Sequence, residues 1–254
     1  MRRMILVALA LGTVCTALFL GCGASTGGAL IHIPMSVGGS GNSTFTTPLG
    51  WTVTLRTARI ALGPYYFNVS KQPSTTTAQS GLVIVQATEQ SVVDPLDPAL
   101  VPLAGGADGQ SGEAFTAYIG LLPPDERQSP GDQALLGNSV AYVEGTAVKG
   151  ATTVPFTGFV TIDISQATPQ LPPSVLQRVS GATVDLTFAS SQQRLQLTVD
   201  ATHWFDRTDF SLLLSGQPSD AGVYTWTDKD PFHGSLLNGI ESVEGVYLFT
   251  LEGS

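Results

Sequence analysis

Apolar and polar side chains alternate most regularly in two stretches of the second half of the chain, residues 183–188 and 194–201. The apolar positions are Val184, Leu186 and Phe188 in the first stretch and Leu195, Leu197 and Val199 in the second. Alternation with a period of two is that of a β-strand with one buried face. We therefore predict two strands that pair as a hairpin and bury these six side chains together.

The same alternation recurs along the rest of the chain. Residues 51–62 alternate with a change of phase that predicts a β-bulge near Thr57, and residues 140–148 and 154–164 flank a short connection. Turn signals separate about eight to ten such strands, and strands do not alternate with helices in a repeated order. The pattern predicts an all-β protein, an antiparallel β-sandwich rather than a parallel α/β sheet.

A few segments depart from the strand period. Residues 203–214 fit a helical stripe, and residues 172–179 and 238–243 are further candidates, so we predict one or two short helices. Residues 88–112 and 123–138 are rich in Pro, Asp and Gly and are predicted to be long loops. Loops of this length are either binding surfaces or insertions.

Composition agrees with this class and narrows the range of partners. Of the 254 residues, 43% are hydrophobic and only 12% are charged, which argues against a disordered chain. The 28 glycines and 16 prolines suit short strands joined by turns. The formal net charge of −9 removes the electrostatic attraction on which nucleic-acid binding depends, so we expect no nucleic-acid partner.

The N-terminal segment has a pattern of its own. Arg2 and Arg3 precede an apolar run over residues 4–20, and small residues follow it. A basic start, an apolar run and a small-residue exit are typical of a secretory signal. The sequence Phe19-Leu20-Gly21-Cys22 resembles the lipobox of bacterial lipoproteins, with Phe19 where that family usually has leucine. In that family, cleavage before the cysteine leaves it lipidated as the first residue of the mature chain.

The lipobox resemblance implies three segments. These are a lipoprotein signal peptide over residues 1–21, a flexible tether over residues 22–28 that begins at lipidated Cys22, and a single β-sandwich domain over residues 29–254. The only other cysteine, Cys15, leaves with the signal, so the mature chain forms no internal disulfide. The alternative is an uncleaved anchor in which Cys22 has no special role.

The net charge indicates that the lipid, and not electrostatic attraction, attaches the protein to the membrane. Loss of Arg2 and Arg3 changes the formal charge from −9 to −11, and such a chain is repelled by an anionic membrane surface. We therefore expect a protein of the bacterial cell envelope, anchored by lipid to the outer membrane and facing the periplasm or the cell surface.

Sequence motifs of common enzymes are absent. The chain has no Gly-x-Ser-x-Gly, no His-Glu-x-x-His and no pair of cysteines spaced for zinc. Its one mature cysteine is the predicted lipidation site, so no thiol remains as a nucleophile. We therefore expect a non-catalytic binding protein.

Three histidines and one methionine of the predicted mature chain are candidate metal ligands. His32 and Met35 lie three residues apart on the first predicted strand, and His203 and His233 lie farther along the chain. Imidazole and thioether ligands suit Cu(I), whereas carboxylates alone favour Ca²⁺ or Mg²⁺. We expect that any bound metal is copper, held by these four residues, with Trp204 near the site. The alternative is that each imidazole is an isolated residue with one hydrogen bond.

Parts of the sequence resemble the β-sandwich proteins associated with methanobactin uptake. The resemblance is carried by residues 50–67, by residues 154–158 and by His203-Trp204-Phe205 with Asp209-Phe210. It implies a periplasmic copper binder that uses histidines and, in some members, an oxidised tryptophan. His203-Trp204 is the one adjacent pair of these residue types, so both residues merit testing.

A second hypothesis is a carbohydrate- or protein-binding module without metal. Exposed aromatic side chains stack on sugars or on the aromatics of a partner, although we expect core packing for most of them. The candidates are Trp51, Trp204, Trp226, Tyr65, Tyr66 and Tyr224. A third hypothesis, an accessory subunit with a protein partner in an envelope complex, has no motif in the sequence.

We predict that Cys22 is the first residue of the mature protein and carries acyl chains. Intact-mass analysis of membrane-extracted protein should show the loss of residues 1–21 and an added acyl mass. Cys22→Ser should release the protein from the membrane, because each buried methylene contributes about 0.8 kcal/mol to attachment. An unmodified full-length mass would contradict this prediction.

Overall fold

A computed structural model describes residues 28–71, 73, 77 and 81–253. The predicted signal peptide, Cys22 and all but the last residue of the predicted tether lie outside these residues. Within the described part, most of the regular structure is β-strand, and the helices are short. The predicted all-β class is therefore confirmed.

The elements follow one another with short connections. The strands are β1 (Leu30–Ile33), β2 (Met35–Gly39), β3 (Thr44–Thr46), β4 (Thr52–Leu62), β5 (Tyr65–Asn68), β6 (Val83–Ala87), β7 (Ser91–Val93), β8 (Val101–Pro102), β9 (Ala107–Gln110), β10 (Gly112–Gly120), β11 (Ala141–Lys149), β12 (Thr152–Val160), β13 (Arg178–Phe188), β14 (Arg194–Val199) and β15 (Tyr247–Glu252). The α-helices are α1 (Pro130–Leu136), α2 (Pro173–Leu176) and α3 (Pro231–Ile240), and 3-10 helices span Ile164–Gln166, Ala201–Phe205 and Phe210–Ser215.

These strands form three sheets. The six-stranded sheet has the order β1-β9-β6-β5-β10-β13, the five-stranded sheet has the order β12-β11-β4-β3 with β7 paired to β4, and the four-stranded sheet has the order β15-β14-β2-β8. The pairing is antiparallel except between β2 and β14, which run parallel. The chain passes from the six-stranded to the four-stranded sheet at Pro34, between β1 and β2.

The inner faces of the sheets share one apolar core. Phe67 of the six-stranded sheet contacts Phe249 of the four-stranded sheet, with ring centroids 5.2 Å apart. On the five-stranded sheet, Phe156 packs against Phe205 and Phe210 of the 3-10 helices, with ring centroids 6.1 and 5.0 Å apart. All six apolar residues of the alternating stretches at 184–188 and 195–199 belong to this core, so their predicted facing is confirmed.

Two local predictions agree with the observed strand pairing. Strands β11 and β12 form a hairpin whose register runs from Ala141↔Val160 to Lys149↔Thr152. In the pairing of β11 with β4, Glu144 lies opposite Thr57 and Gly145 opposite Leu55, so the intervening Arg56 is the extra residue of a β-bulge. The change of phase in the sequence therefore marks the bulge to within one residue.

The predicted hairpin between the two most regular strands is wrong. Strand β13 pairs with β10 in the six-stranded sheet, whereas β14 pairs with β2 and β15 in the four-stranded sheet. The connection between them crosses from one sheet to the other, and both strands turn their apolar sides to the same core. Alternation determines which face of a strand is buried, but not its pairing partner.

The long stretches predicted as loops contain regular structure. Residues 88–112 contain β7, β8 and β9, and residues 123–138 contain α1. The hydroxyl of Ser129 caps the first turn of α1 by accepting the N–H of Asp132 at 3.1 Å. Strands of two to four residues are too short to show alternation in the sequence. These two loop predictions are corrected accordingly.

The helices are more numerous than predicted, but each is short. Residues 203–214 hold parts of two 3-10 helices, which begin where the carboxylates of Asp200 and Asp209 accept the N–H groups of Thr202 and Ser211. Helices α2 and α3 both have proline in the first turn, and α3 begins seven residues before the predicted start at 238. Among the described residues, none of the helices has the length and apolarity to cross a membrane.

The facing of β14 gives a stability prediction. Leu197 is fully buried, whereas its neighbour Thr198 points to the other side of the sheet and is half-buried. Leu197→Ala should lower the free energy of unfolding by about 2 to 5 kcal/mol, because it removes apolar contacts and leaves a cavity. Thr198→Ala should change it by less than about 1 kcal/mol. Urea unfolding of both variants measures the difference, and equal losses would contradict this facing.

Candidate functional site

The candidate copper ligands His32 and Met35 lie on consecutive strands. His32 is on the outer face of β1, with 59% of its side chain exposed, and its Nδ1 lies 2.8 Å from Oδ1 of Asp108 on β9. Met35 begins β2 and is buried in the core. Both residues nevertheless line one surface cavity, together with Arg194 and Glu252.

The other two histidines lie at opposite ends of α3. His203 pairs with Asp206 through Nδ1 at 2.9 Å, and its ring packs against Gly245, where a Cβ atom would lie 2.6 Å from Nε2. His233 is in the first turn of α3, and its Nε2 accepts the N–H of Thr161 at 3.1 Å. Burial lowers the pKa of His233, so the neutral imidazole that accepts this bond is favoured.

The structure does not gather these residues into one coordination sphere. His203 lines a hollow at the C-terminal end of α3, together with Glu241, whereas His233 lies in the first turn of that helix, about 12 Å from residue 241 along the helix axis. Ligands of one ion have donor atoms within about 2.1 Å of it. No three His, Cys, Asp or Glu side chains among the described residues are placed to hold a metal ion. The four candidate ligands therefore do not fit a single copper site in this conformation.

Most of the candidate aromatic residues are part of the core, as expected. Trp204 is fully buried beside His203, and its indole Nε1 is an orphaned donor among the described residues. The other indoles donate from buried positions, Trp51 to Asp209 at 3.1 Å and Trp226 to the carbonyl of Phe159 at 2.8 Å. Tyr65 is also buried, whereas Tyr66 and Tyr224 are half-buried. Of the six candidates, these two tyrosines alone remain partly accessible.

Tyr66 opens into a cavity of about 390 Å³ at one end of the six-stranded sheet. Tyr66 is directly paired with Tyr118 across β5 and β10, so the two side chains lie on the same face of the sheet. The guanidinium of Arg178, from β13, lies 4.5 Å from the centre of the Tyr118 ring. The remaining lining is Pro64, Gly120, Leu122, Ser174 and Gln177.

This cavity combines apolar walls with a few polar groups. Arg178 is buried, and this burial lowers the pKa of its guanidinium. The position of Arg178 over the aromatic ring offsets part of the cost of burying its charge. Tyr66 is a candidate from its residue type, whereas Tyr118 and Arg178 have no signal in the sequence, since three strands distant in sequence bring the three residues together.

A second hollow, of about 350 Å³, lies at the C-terminal end of α3. His203, Asp206, Glu241 and Glu244 line it, together with Arg207. Burial raises the pKa of Glu241 to about 7, from an ordinary value of 4.5. The carboxyl group therefore titrates near neutral pH, where exposed carboxylates are fully ionised.

Comparison with known proteins gives little guidance on the ligand. No protein-family model and no curated protein matches the sequence. Among solved structures, the chain is similar to MbnP from Methylosinus trichosporium, with 10% identity and a TM-score of 0.37, over 89% of this chain and 99% of that chain. At this score the similarity carries no inference about a ligand, which has to be sought in the residues of the site.

The raised pKa of Glu241 predicts a dependence of stability on pH. The folded state binds the carboxyl proton more tightly than the unfolded state, so the stabilisation is complete below pH 4.5 and is lost as the pH rises to about 7. Over this pH range the free energy of unfolding of wild type should therefore fall by about 1 to 3 kcal/mol. The free energy of unfolding of Glu241→Gln should not show this fall. Urea unfolding at about pH 5 and about pH 8 measures it.

Glu244→Gln is the matched control, because Glu244 lines the same hollow but is exposed. This variant should follow the wild-type dependence on pH. An unchanged dependence in Glu241→Gln would show that another group is responsible.

Proposed function

We propose that this chain is a lipid-anchored, non-catalytic binding protein of the bacterial cell envelope, whose ligand occupies the cavity beside Tyr66 and Tyr118. The observation that carries the proposal is the cavity itself, which is lined by Tyr66, by Tyr118 and by the Arg178 guanidinium that lies over the Tyr118 ring. Its volume, about 390 Å³, is in the range of small-ligand sites, and its lining is mostly apolar with a few polar groups.

The lining suits a polar molecule with a flat apolar face, such as a sugar ring. Tyr66 supplies an accessible aromatic surface on which such a face stacks, and Ser174 and Gln177 supply hydroxyl and amide groups for hydrogen bonds. Pro64 and Leu122 complete the apolar walls. Among the described residues that line the cavity there is no carboxylate or imidazole to act as the general base that would activate the hydroxyl of Ser174 as a nucleophile. This chemistry supports binding rather than catalysis.

The position of the cavity is compatible with a lipid anchor. The described chain begins beside Ser111, whose N–H donates to the carbonyl of Ala29 and whose hydroxyl accepts the N–H of Ala29. Strand β10 starts at the next residue and ends at Gly120, which lines the cavity. The nine residues of β10 span about 26 Å. A tether from Cys22 would therefore attach at the end of the sheet remote from the cavity.

Screening the mature protein against a glycan panel tests the proposal. Tyr66→Ala should weaken binding to any glycan found by about tenfold, the loss expected for one aromatic contact of about 1.5 kcal/mol. Tyr142→Ala is the matched control, because Tyr142 is a half-buried tyrosine of β11 that contacts Phe159 and lies outside the cavity. Equal affinities of wild type and Tyr66→Ala, or no binding by wild type to the panel, would contradict the proposal.

Copper binding is the second candidate function, and one observation favours it. His32 and Met35 line the same surface cavity and provide an imidazole and a thioether. Two such ligands are too few for a tight site. We therefore expect a Cu(I) competition assay to give equal affinities for wild type and for His203→Ala/His233→Ala. Tight binding that is lost in the double variant would instead support the four-residue copper site.

A further inference from the structure

A row of directly paired side chains crosses the whole six-stranded sheet. In the order of the strands, its members are His32, Asp108, Gln86, Tyr66, Tyr118 and Ser180. Paired residues of neighbouring strands point to the same face of a sheet. The row therefore leads from the edge strand β1 to the tyrosines of the cavity.

The row lies on the outer face of the sheet. The residues on either side of it along the strands, such as Ile33, Ala107 and Val85, belong to the core on the other face. The side chains of His32 and Asp108 are 59% and 73% exposed, and Gln86 is also exposed. Exposure then decreases through the half-buried Tyr66 to the buried Tyr118. The row thus runs from an exposed, polar end at His32 to a buried end at the cavity.

The dimensions of the row suit an extended ligand. Four strand spacings of about 4.8 Å separate His32 from Tyr118, which gives a track of about 19 Å. The backbones of β9, β6, β5 and β10 are paired on both sides. A peptide therefore has no open backbone edge to pair with along this track, and recognition has to come from side chains.

The charges along the row indicate which class of ligand can bind there. Asp108 is the one carboxylate of the row and is paired with His32, while Arg178 flanks the other end beside Tyr118. This near balance of charge contrasts with the net charge of −9 of the whole chain. The row thus offers little attraction to polyanions or polycations and suits an uncharged chain rich in hydroxyl groups.

We infer that the row binds a neutral oligosaccharide lying across the strands, with one end in the cavity and several sugar rings over Gln86 and Asp108. The inference rests on the proposed function and extends it from a single ring to a chain. The amide of Gln86 both donates and accepts, and the carboxylate of Asp108 accepts, so both groups can bond to neighbouring hydroxyls of a sugar. Tyr66 stacks on a ring where the track enters the cavity.

Calorimetric titration with neutral oligosaccharides of one glycan series, from disaccharide to hexasaccharide, tests this inference. The affinity of the mature protein should rise with chain length and reach a plateau when the track is filled. Gln86→Ala should weaken binding of the hexasaccharide about threefold to tenfold, as expected for one neutral hydrogen bond. It should leave binding of the disaccharide unchanged, since a disaccharide fits within the cavity end.

Gln166→Ala is the matched control, because Gln166 is an exposed glutamine of the 3-10 helix that follows β12 and lines neither the cavity nor the row. It should bind all lengths like wild type. Binding that is lost in Tyr66→Ala but independent of length and of Gln86 would overturn the extended track while leaving the cavity as the binding site. Binding that is unaffected by Tyr66→Ala would overturn the proposed function itself.

Discussion

Burial of one face of each sheet in a common core is the constraint on which the rest of the structure depends. The free energy of this core comes from apolar area removed from water, and aromatic contacts such as Phe67 with Phe249 join the sheets directly. Because the inner face of the six-stranded sheet is filled by side chains, ligands can reach only its outer face. The cavity at Tyr66 and the row that leads to it both lie on that face.

The sequence determines which faces are buried more clearly than which strands are neighbours. Leu195, Leu197 and Val199 face the core as their alternation predicts, and the bulge at Arg56 follows from a change of phase. The partner of β14 was predicted wrongly because β13 and β14 have the same alternation although they lie in different sheets. Pairing depends on contacts between distant residues, which a local period does not contain.

The same limit applies to the candidate site. Residue types identify chemistry, so the sequence singles out His32, His203 and His233, but it does not contain the distances between them. In the fold, each of these imidazoles has a separate partner: Asp108, Asp206 and the N–H of Thr161. By contrast, Arg178 and Tyr118 have no sequence motif and meet only because β10 and β13 are paired.

The passage of the chain through Pro34 has a mechanical consequence. Strand β1 is held by β9 in one sheet, and β2, one residue later, is held between β14 and β8 in another. A force applied at the start of the described chain first loads the bonds of β1, and it reaches the interior only after β2 is pulled from between its two neighbours. The N-terminal end of the described chain is therefore held by two sheets in series, and both have to give way before a pulling force reaches the interior.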